Sequence, residues 1–234
     1  MSGAHLVRAR DLSHRFGVRR TLFDITFDVE RGTALGIFGP PSAGKSLLLR
    51  ALATLIAPSE GRLEIAGIDA VREPEHVRSH VGYVPERAGA YAELRVGEYL
   101  AFFAAAYRLD GSSVDRALEQ TGLSEARDES VSSLSRDRRP RMHLARALLH
   151  DPELLLLDDP IADLDDLEKT AFLGLLEELR QAGKTLVVTS RVLGDLPKKG
   201  ATIAVLKRGR FVLYGEGVAR SRELPPSVPP PREP

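Results

Sequence analysis

The chain has 234 residues, enough for one domain with a sizeable core, and its 33 basic side chains balance 33 acidic ones. Such neutrality gives no electrostatic reason to expect a nucleic-acid partner. With no cysteine present, disulfides, thiol nucleophiles and cysteine-ligated metals are excluded, and a reducing cytosol is compatible.

Met1 to His5 lacks the charged-then-apolar pattern of a signal peptide. The longest apolar run, around Tyr99 to Tyr107, is about half what a membrane span needs. A soluble protein is expected, with any membrane role exercised through a partner. Leu6 to Arg10 reads as a first strand, and Asp11 to Gly17 as a lead into an arginine-rich turn. From Phe23 to Val29 the odd positions are apolar and the even ones polar, the alternation of a strand with one buried face. Gly32 turns the chain into Thr33 to Phe38, a buried strand. Ser46 to Leu52 reads as a helix, Pro58 to Gly61 as a turn, and Leu63 to Ala66 and Val81 to Val84 as short strands.

Then the character changes. Val96 to Tyr107, Val114 to Thr121 and Arg138 to His150 all have helical patterns with little strand signal between them. Residues 87–150 are therefore expected to form a helical lobe set into a core made of 1–86 and 151–220. Leu154 to Leu157 is a buried strand, Leu164 to Gln181 an amphipathic helix, and Leu186 to Thr189 buried strand again. Thr202 to Leu206 and Phe211 to Tyr214 complete the strands. Strands alternating with helices imply an α/β fold: a three-layer core around a mainly parallel sheet. Residues 221–234 are rich in proline and are expected to be disordered or polyproline-like.

Between the strand ending at Phe38 and the helix beginning at Ser46 lies Gly39-Pro40-Pro41-Ser42-Ala43-Gly44-Lys45-Ser46, which fits G-x-x-x-x-G-K-[ST]. In such a loop, backbone N–H groups converge on phosphate and the following helix adds its N-terminal dipole. Gly39, Ser42, Ala43, Gly44, Lys45, Ser46 and Leu47 are thus candidate nucleotide-binding residues. Lys45 is expected to reach the outer phosphates and the Ser46 hydroxyl to hold Mg²⁺. The competing reading is a Gly/Pro loop with an incidental lysine, but the strand–loop–helix context favours the phosphate cradle. Phosphoryl chemistry of this kind needs a further acidic metal ligand at the end of a buried strand. Leu154 to Leu157 delivers Asp158 for that purpose and Asp159, one residue on, to orient or deprotonate water. Alternatively the two aspartates cap the turn before Pro160.

With these landmarks in order, residues 5 to about 218 resemble the ATP-binding subunits of ABC transporters. The resemblance is carried by Phe16, the phosphate loop, Gly82-Tyr83-Val84-Pro85-Glu86, Leu134-Ser135 ahead of Arg141 to Leu149, His150 to Asp158, Leu164-Asp165 and Thr189-Ser190-Arg191. The strongest similarity is to stand-alone subunits of exporters whose membrane part is a separate chain. It implies an ABC ATPase fold: a P-loop NTPase core, an N-terminal antiparallel β subdomain and an inserted helical lobe, the ATP-binding domain occupying residues 1–220. It implies ATP and Mg²⁺ as ligands, Phe16 stacking on adenine, and Ser46, Glu86 and Asp158 around the metal. Asp159, Arg191 and Glu86 are the catalytic candidates. Partners would be a transmembrane permease and a second ATP-binding subunit, identical or not, with no nucleic acid. The location would be cytoplasmic, peripheral on the membrane through the permease.

Departures from the family pattern concentrate at the chemistry. The usual catalytic glutamate is Asp159, shorter by one methylene, and a misplacement of about an ångström can cost roughly 100-fold in rate. The switch histidine is Arg191, which retains a cation for a γ-phosphate. The usual glutamine is Glu86, and a usual loop glycine is Ser42. The signature Leu-Ser-Gly-Gly-Gln reads Leu134-Ser135-Arg136-Asp137-Arg138, so Asp137 adds bulk and negative charge where backbone should approach the opposite ATP. Pro140 tolerates only the first turn of a helix, so the helix is expected to start about two residues late, capped by Asp137. The arginines at 136, 138, 139 and 141 read as a solvated helix face, with phosphate contact by Arg136 or Arg138 the alternative. In a head-to-tail dimer no composite site would be intact, whether the partner is identical or ordinary. The leading reading is an exporter ATP-binding subunit that binds Mg·ATP and hydrolyses it slowly. The others are a non-hydrolysing regulatory or assembly subunit and a soluble non-transport ABC protein.

Overall fold

The computed structural model describes residues 5–89, 91–192 and 201–216. The proline-rich segment 221–234 lies outside them.

The strands sort into two sheets. A four-stranded antiparallel sheet has the order β2-β1-β4-β5, with β1 His5–Phe16, β2 Arg19–Glu30, β4 Glu60–Ile65 and β5 Ile68–Asp69. A six-stranded sheet has the order β10-β9-β3-β8-β7-β6. Its members are β3 Ala34–Phe38, β6 Val81–Val84, β7 Leu154–Asp158, β8 Thr185–Ser190, β9 Ala201–Lys207 and β10 Arg210–Glu216. The neighbours are parallel except for β10, which turns back on β9. All residues of β3, β7 and β8 are buried, as continuous apolar runs covered on both faces require.

Helices α1 (Lys45–Leu52), α2 (Pro74–Arg78) and α6 (Asp166–Gln181) accompany this core. α6 begins at a capping box in which Asp165 accepts from the Glu168 N–H and Glu168 accepts from the Asp165 N–H. Between 87 and 150 the described elements are α3 (Val96–Ala106), α4 (Gly111–Thr121), α5 (Arg138–Leu148) and two short 3₁₀ turns, joined by one bridge, Arg95 to Ser130. They share a separate apolar cluster centred on Tyr99, Leu100, Leu118 and Met142. The expected α/β layers, antiparallel subdomain and helical insertion are all present.

Three boundaries differ from the expectation, each for a local reason. β1 does not stop at Arg10 but runs to Phe16, bending at Asp11, whose φ is 50°. In β2 the strict alternation holds from Ile25 onward but slips before it. Asp24 at φ 53° inserts a register shift, so Leu22 takes the buried place and Phe23 is left half-buried. That slip matters for the site described below.

α5 is the third. The helix starts at Arg138, so Pro140 falls in its first turn as its missing N–H demands. Asp137 does not cap it by side chain, however. Its carboxylate accepts from the Ser135 hydroxyl at 2.6 Å, while the Arg138 and Arg139 N–H groups both donate to the Ser135 carbonyl. Nor is the arginine run only a solvated face: Arg136 and Arg139 are exposed as expected, but three of the four arginines are engaged. Arg138 pairs with Glu129 at 2.7 Å, Arg139 donates to the carbonyls of Leu134 and Ser132, and Arg141 donates to that of Thr121. The arginines at 138, 139 and 141 tie α5 to the rest of the helical lobe.

Candidate functional site

The loop from Gly39 to Gly44 joins the C-terminal end of β3 to α1. Its shape depends on missing side chains at two points. A Cβ on Gly39 would come to 2.2 Å from the Leu206 carbonyl oxygen of β9. Gly44 caps α1 at φ 106° and sits against Leu22. Ser42 also adopts a left-handed conformation, φ 63°, which explains why glycine suits the position. The loop is fastened from outside as well. Gly209, in the turn between β9 and β10, donates its N–H to the Ala43 carbonyl at 2.9 Å and accepts from the Phe23 N–H at 2.9 Å.

Lys45 is buried at the start of α1 and folds back over this loop, donating to the Gly39 carbonyl at 2.7 Å and the Pro40 carbonyl at 3.2 Å. Burial pushes its pKa below the usual lysine range, partly offset by the negative charge of Asp159 and Asp158.

Opposite lies the acidic end. β7 delivers Asp158 and Asp159, both buried, and β8 supplies Thr189 beside them. The Thr189 hydroxyl donates to Asp158 Oδ1 at 2.8 Å and accepts from the Asp159 N–H at 3.0 Å. One hydroxyl therefore sets the positions of both residues, and Asp159 is held at φ 48°. Burial raises the pKa of Asp159, against the opposing pull of Arg191. Arg191 bridges two carboxylates: its Nε lies 2.7 Å from Asp159 Oδ2, and its terminal nitrogen pairs with Glu86.

These groups meet on one cleft of about 600 Å³, lined by residues 41–47, Glu86, Asp158, Asp159 and Arg191. Of the residues singled out in the sequence, Gly39 supports the loop from beneath. Phe16 is exposed at the end of β1, edge-on to His14 at 4.7 Å, and is not among the lining residues. The remaining wall is one the sequence reading did not assign: Arg19, Arg20, Thr21 and Phe23 from β2, with Arg208 and Gly209 from the β9–β10 turn. Two guanidinium groups, of Arg20 and Arg210, sit 5.1 and 4.7 Å from the centre of the Phe23 ring. The signal for this wall was faint, since Arg19-Arg20 lies in a turn region and Phe23 reads as a core residue until β2 slips register.

A second, larger cavity of about 1190 Å³ lies between helical lobe and core. Its lining includes Arg87, Arg136, Arg139, Pro140 and His143, and it shares Glu86, Asp159 and Arg191 with the first. The ion triad is thus the partition between the two cavities.

The donor set fits a nucleoside triphosphate with Mg²⁺. No group of three or more His, Cys, Asp or Glu among the described residues could hold a metal by itself. Mg²⁺ commonly needs only one or two carboxylates, its other ligands being water and substrate phosphate. Buried Asp158 and Ser46 at the helix start line the same cleft, which suits that arrangement.

Comparison with known proteins agrees with this chemistry. A family model described as ABC transporter matches residues 22–162. The ABC transporter ATP-binding protein NatA of Bacillus subtilis (strain 168) is 26% identical over 219 residues, covering 90% of this chain and 89% of the relative. The daunorubicin resistance ATP-binding protein DrrA3 of Streptomyces coeruleorubidus is 32% identical over 205 residues, 86% of this chain but only 65% of the relative. Among solved structures, cbiO1 from Clostridium perfringens, part of the ABC transporter complex cbiONQ, superposes with a TM-score of 0.82 at 25% identity, covering 91% of this chain and 88% of the other. An ATP-binding subunit of an ABC transporter superposes at 0.78 and 27% identity, covering 90% and 89%.

Proposed function

This chain belongs to the ABC transporter family as an ATP-binding subunit, and we propose that it binds Mg·ATP in the cleft, closes on it as a dimer, and turns it over slowly. The observation that carries the proposal is the convergence of residues 41–47 with Asp158, Asp159, Glu86 and Arg191 on one cavity. Loop N–H groups, Lys45 and the dipole of α1 hold the phosphates. Ser46, Asp158 and Glu86 hold Mg²⁺, which would neutralise charge building on the transferred phosphoryl group. Phe16 stacks on the adenine once a nucleotide is present.

Slow turnover follows from the other end. Asp159 is the residue placed to orient water, but its carboxylate is already committed to Arg191, which also holds Glu86. Two of the three guanidinium nitrogens of Arg191 are engaged by these carboxylates, so its positive charge is largely compensated before a γ-phosphate arrives. The signature segment adds Asp137 where a phosphate of the opposite subunit would approach. These features also support the second reading, a regulatory or assembly subunit that holds ATP without hydrolysing it.

Among the described residues no helix is long and apolar enough to cross a membrane. We propose a separate permease subunit as its partner, with this chain at the cytoplasmic face of the membrane by association. Equilibrium titration of the purified chain with ATP, using Lys45→Ala as control, tests the site; absence of Lys45-dependent binding at millimolar ATP rejects it. Co-purification with a membrane subunit encoded beside this chain tests the assembly. Multiple-turnover hydrolysis by that complex separates the slow enzyme from the non-hydrolysing subunit.

A further inference from the structure

The cleft carries more positive charge than its acidic end balances. Its lining includes Arg19, Arg20, Lys45, Arg191 and Arg208, against Glu86, Asp158 and Asp159. Arg191 is paired with two of those carboxylates, and Arg20 with Asp24 at 2.5 Å. Arg19 and Arg208 are exposed, and their guanidinium groups make no ion pair or hydrogen bond among the described residues.

Arg208 is also held in an unusual way. It and Gly209 form the two-residue turn between β9 and β10, with φ of 49° and 76°. Such turns are usually filled by asparagine, aspartate or glycine because both residues need positive φ. This one is fastened to the phosphate loop through Gly209 N–H to the Ala43 carbonyl, and to β2 through Phe23 N–H to the Gly209 carbonyl. There is no room for a side chain at Gly209, where a Cβ would lie 2.1 Å from the Thr21 carbonyl oxygen. The turn is therefore fixed in place beside Ala43, and the arginine in its left-handed position lines the cleft.

The order of charges along the cleft follows from these contacts. Lys45 feels Asp159, Asp158, Arg191 and Glu86, so the acidic end lies on its side. The arginine wall flanks Ala43 and Gly44, the part of the loop touched by Gly209 and Leu22. A triphosphate whose metal-bound end faces Asp158 would present its sugar-proximal end to Arg19 and Arg208. We propose that Arg19 and Arg208 form an anion-recognition subsite for the sugar-proximal phosphate of a nucleotide, outside the phosphate-loop motif. The wall recognises charge rather than a base face, because guanidinium groups already sit over the Phe23 ring. This subsite rests on the nucleotide-binding reading given above.

The proposal separates ADP from the outer-phosphate contacts. Affinity for ADP and ATP should fall alike when the wall is removed, and the salt dependence of binding should flatten. The experiment is titration of the intact chain with ADP and ATP at two salt concentrations, comparing wild type, Arg208→Asn, Arg19→Ala with Arg208→Asn, and Arg208→Lys. Asparagine tolerates positive φ, so Arg208→Asn removes the charge while keeping the turn. Expected are a weakening of about 3- to 5-fold for Arg208→Asn and roughly 10-fold for the pair, for both nucleotides, with partial recovery in Arg208→Lys. Binding of ADP by the pair within about twofold of wild type, while Lys45→Ala still abolishes it, overturns the subsite and leaves the nucleotide site standing. Loss confined to ATP overturns it too, since that loss belongs to the outer phosphate. If the wild type binds neither nucleotide, the nucleotide reading falls and the subsite with it.

Discussion

The two ends of the cleft are built in different ways. The phosphate loop is held by main chain: Gly39 against the Leu206 carbonyl, Gly44 at a left-handed helix start, and Ala43 bonded to Gly209. The acidic end is held by side chains: one threonine hydroxyl between two aspartates, and one arginine between two carboxylates. A backbone cradle tolerates sequence change around it, provided the glycines stay. A side-chain constellation changes with each substitution, and Asp159, Arg191 and Glu86 are the members on which the proposal of slow turnover rests. The difference teaches that the two ends can be perturbed separately, which the proposal of secure binding with slow turnover requires.

Lys45→Ala should break the binding end most severely. Removing one partner from a buried charged contact commonly costs about 2–5 kcal/mol, so ATP affinity should fall by at least about 30-fold in an equilibrium titration. The acidic end should respond in the opposite sense to Asp159→Glu. Restoring the missing methylene should raise turnover by about 10- to 100-fold in a phosphate-release assay, with ATP affinity nearly unchanged. If affinity moved as much as rate, the separation of the two ends would be wrong.

A third test addresses the helical side of the second cavity. His143 lines it, mostly buried with Nδ1 unpartnered, and burial holds its pKa down at about 4. In the unfolded chain the same histidine takes a proton near its ordinary value of about 6.5. Below that pH the unfolded state binds more protons than the folded one, so stability is lost as pH falls from about 6.5 towards about 4. Thermal melts across this window should show the loss, and His143→Phe should reduce its slope. His150, also depressed by burial, leaves a residual dependence of the same sign. The smallest effect belongs to the binding end. Ser42→Gly relieves a left-handed non-glycine residue and should raise stability by at most about 1 kcal/mol in denaturant melts, leaving ATP binding in place.

Particular residues show how far the sequence could be read. Leu154 to Leu157 announced a buried strand and, with it, the place of Asp158; Pro140 announced where α5 begins. Local sterics and burial act within a few residues, so a short window carries them. Phe23 shows the opposite case. Its alternation with Ile25 and Phe27 marked it as core, but the left-handed Asp24 shifts the register and turns it to the cleft. Arg208 could not have been assigned at all, because its relation to Ala43 spans most of the chain and exists only through the β9–β10 turn. Likewise the charges of Arg138, Arg139 and Arg141 suggested solvent, whereas Glu129 and carbonyls from neighbouring segments claim them.

By itself the sequence determined the family, the layered α/β core, the phosphate loop and the two aspartates at the end of β7, since periodicity, glycine spacing and strand-end carboxylates are local signals. Only the tertiary structure decided that Arg191 joins Asp159 to Glu86, that this triad separates two cavities, and that arginines from β2 and the β9–β10 turn line the cleft beside the phosphate loop. Those outcomes depend on which side chains meet across strands far apart in the chain, and long-range pairing of charges leaves no periodic trace in the sequence.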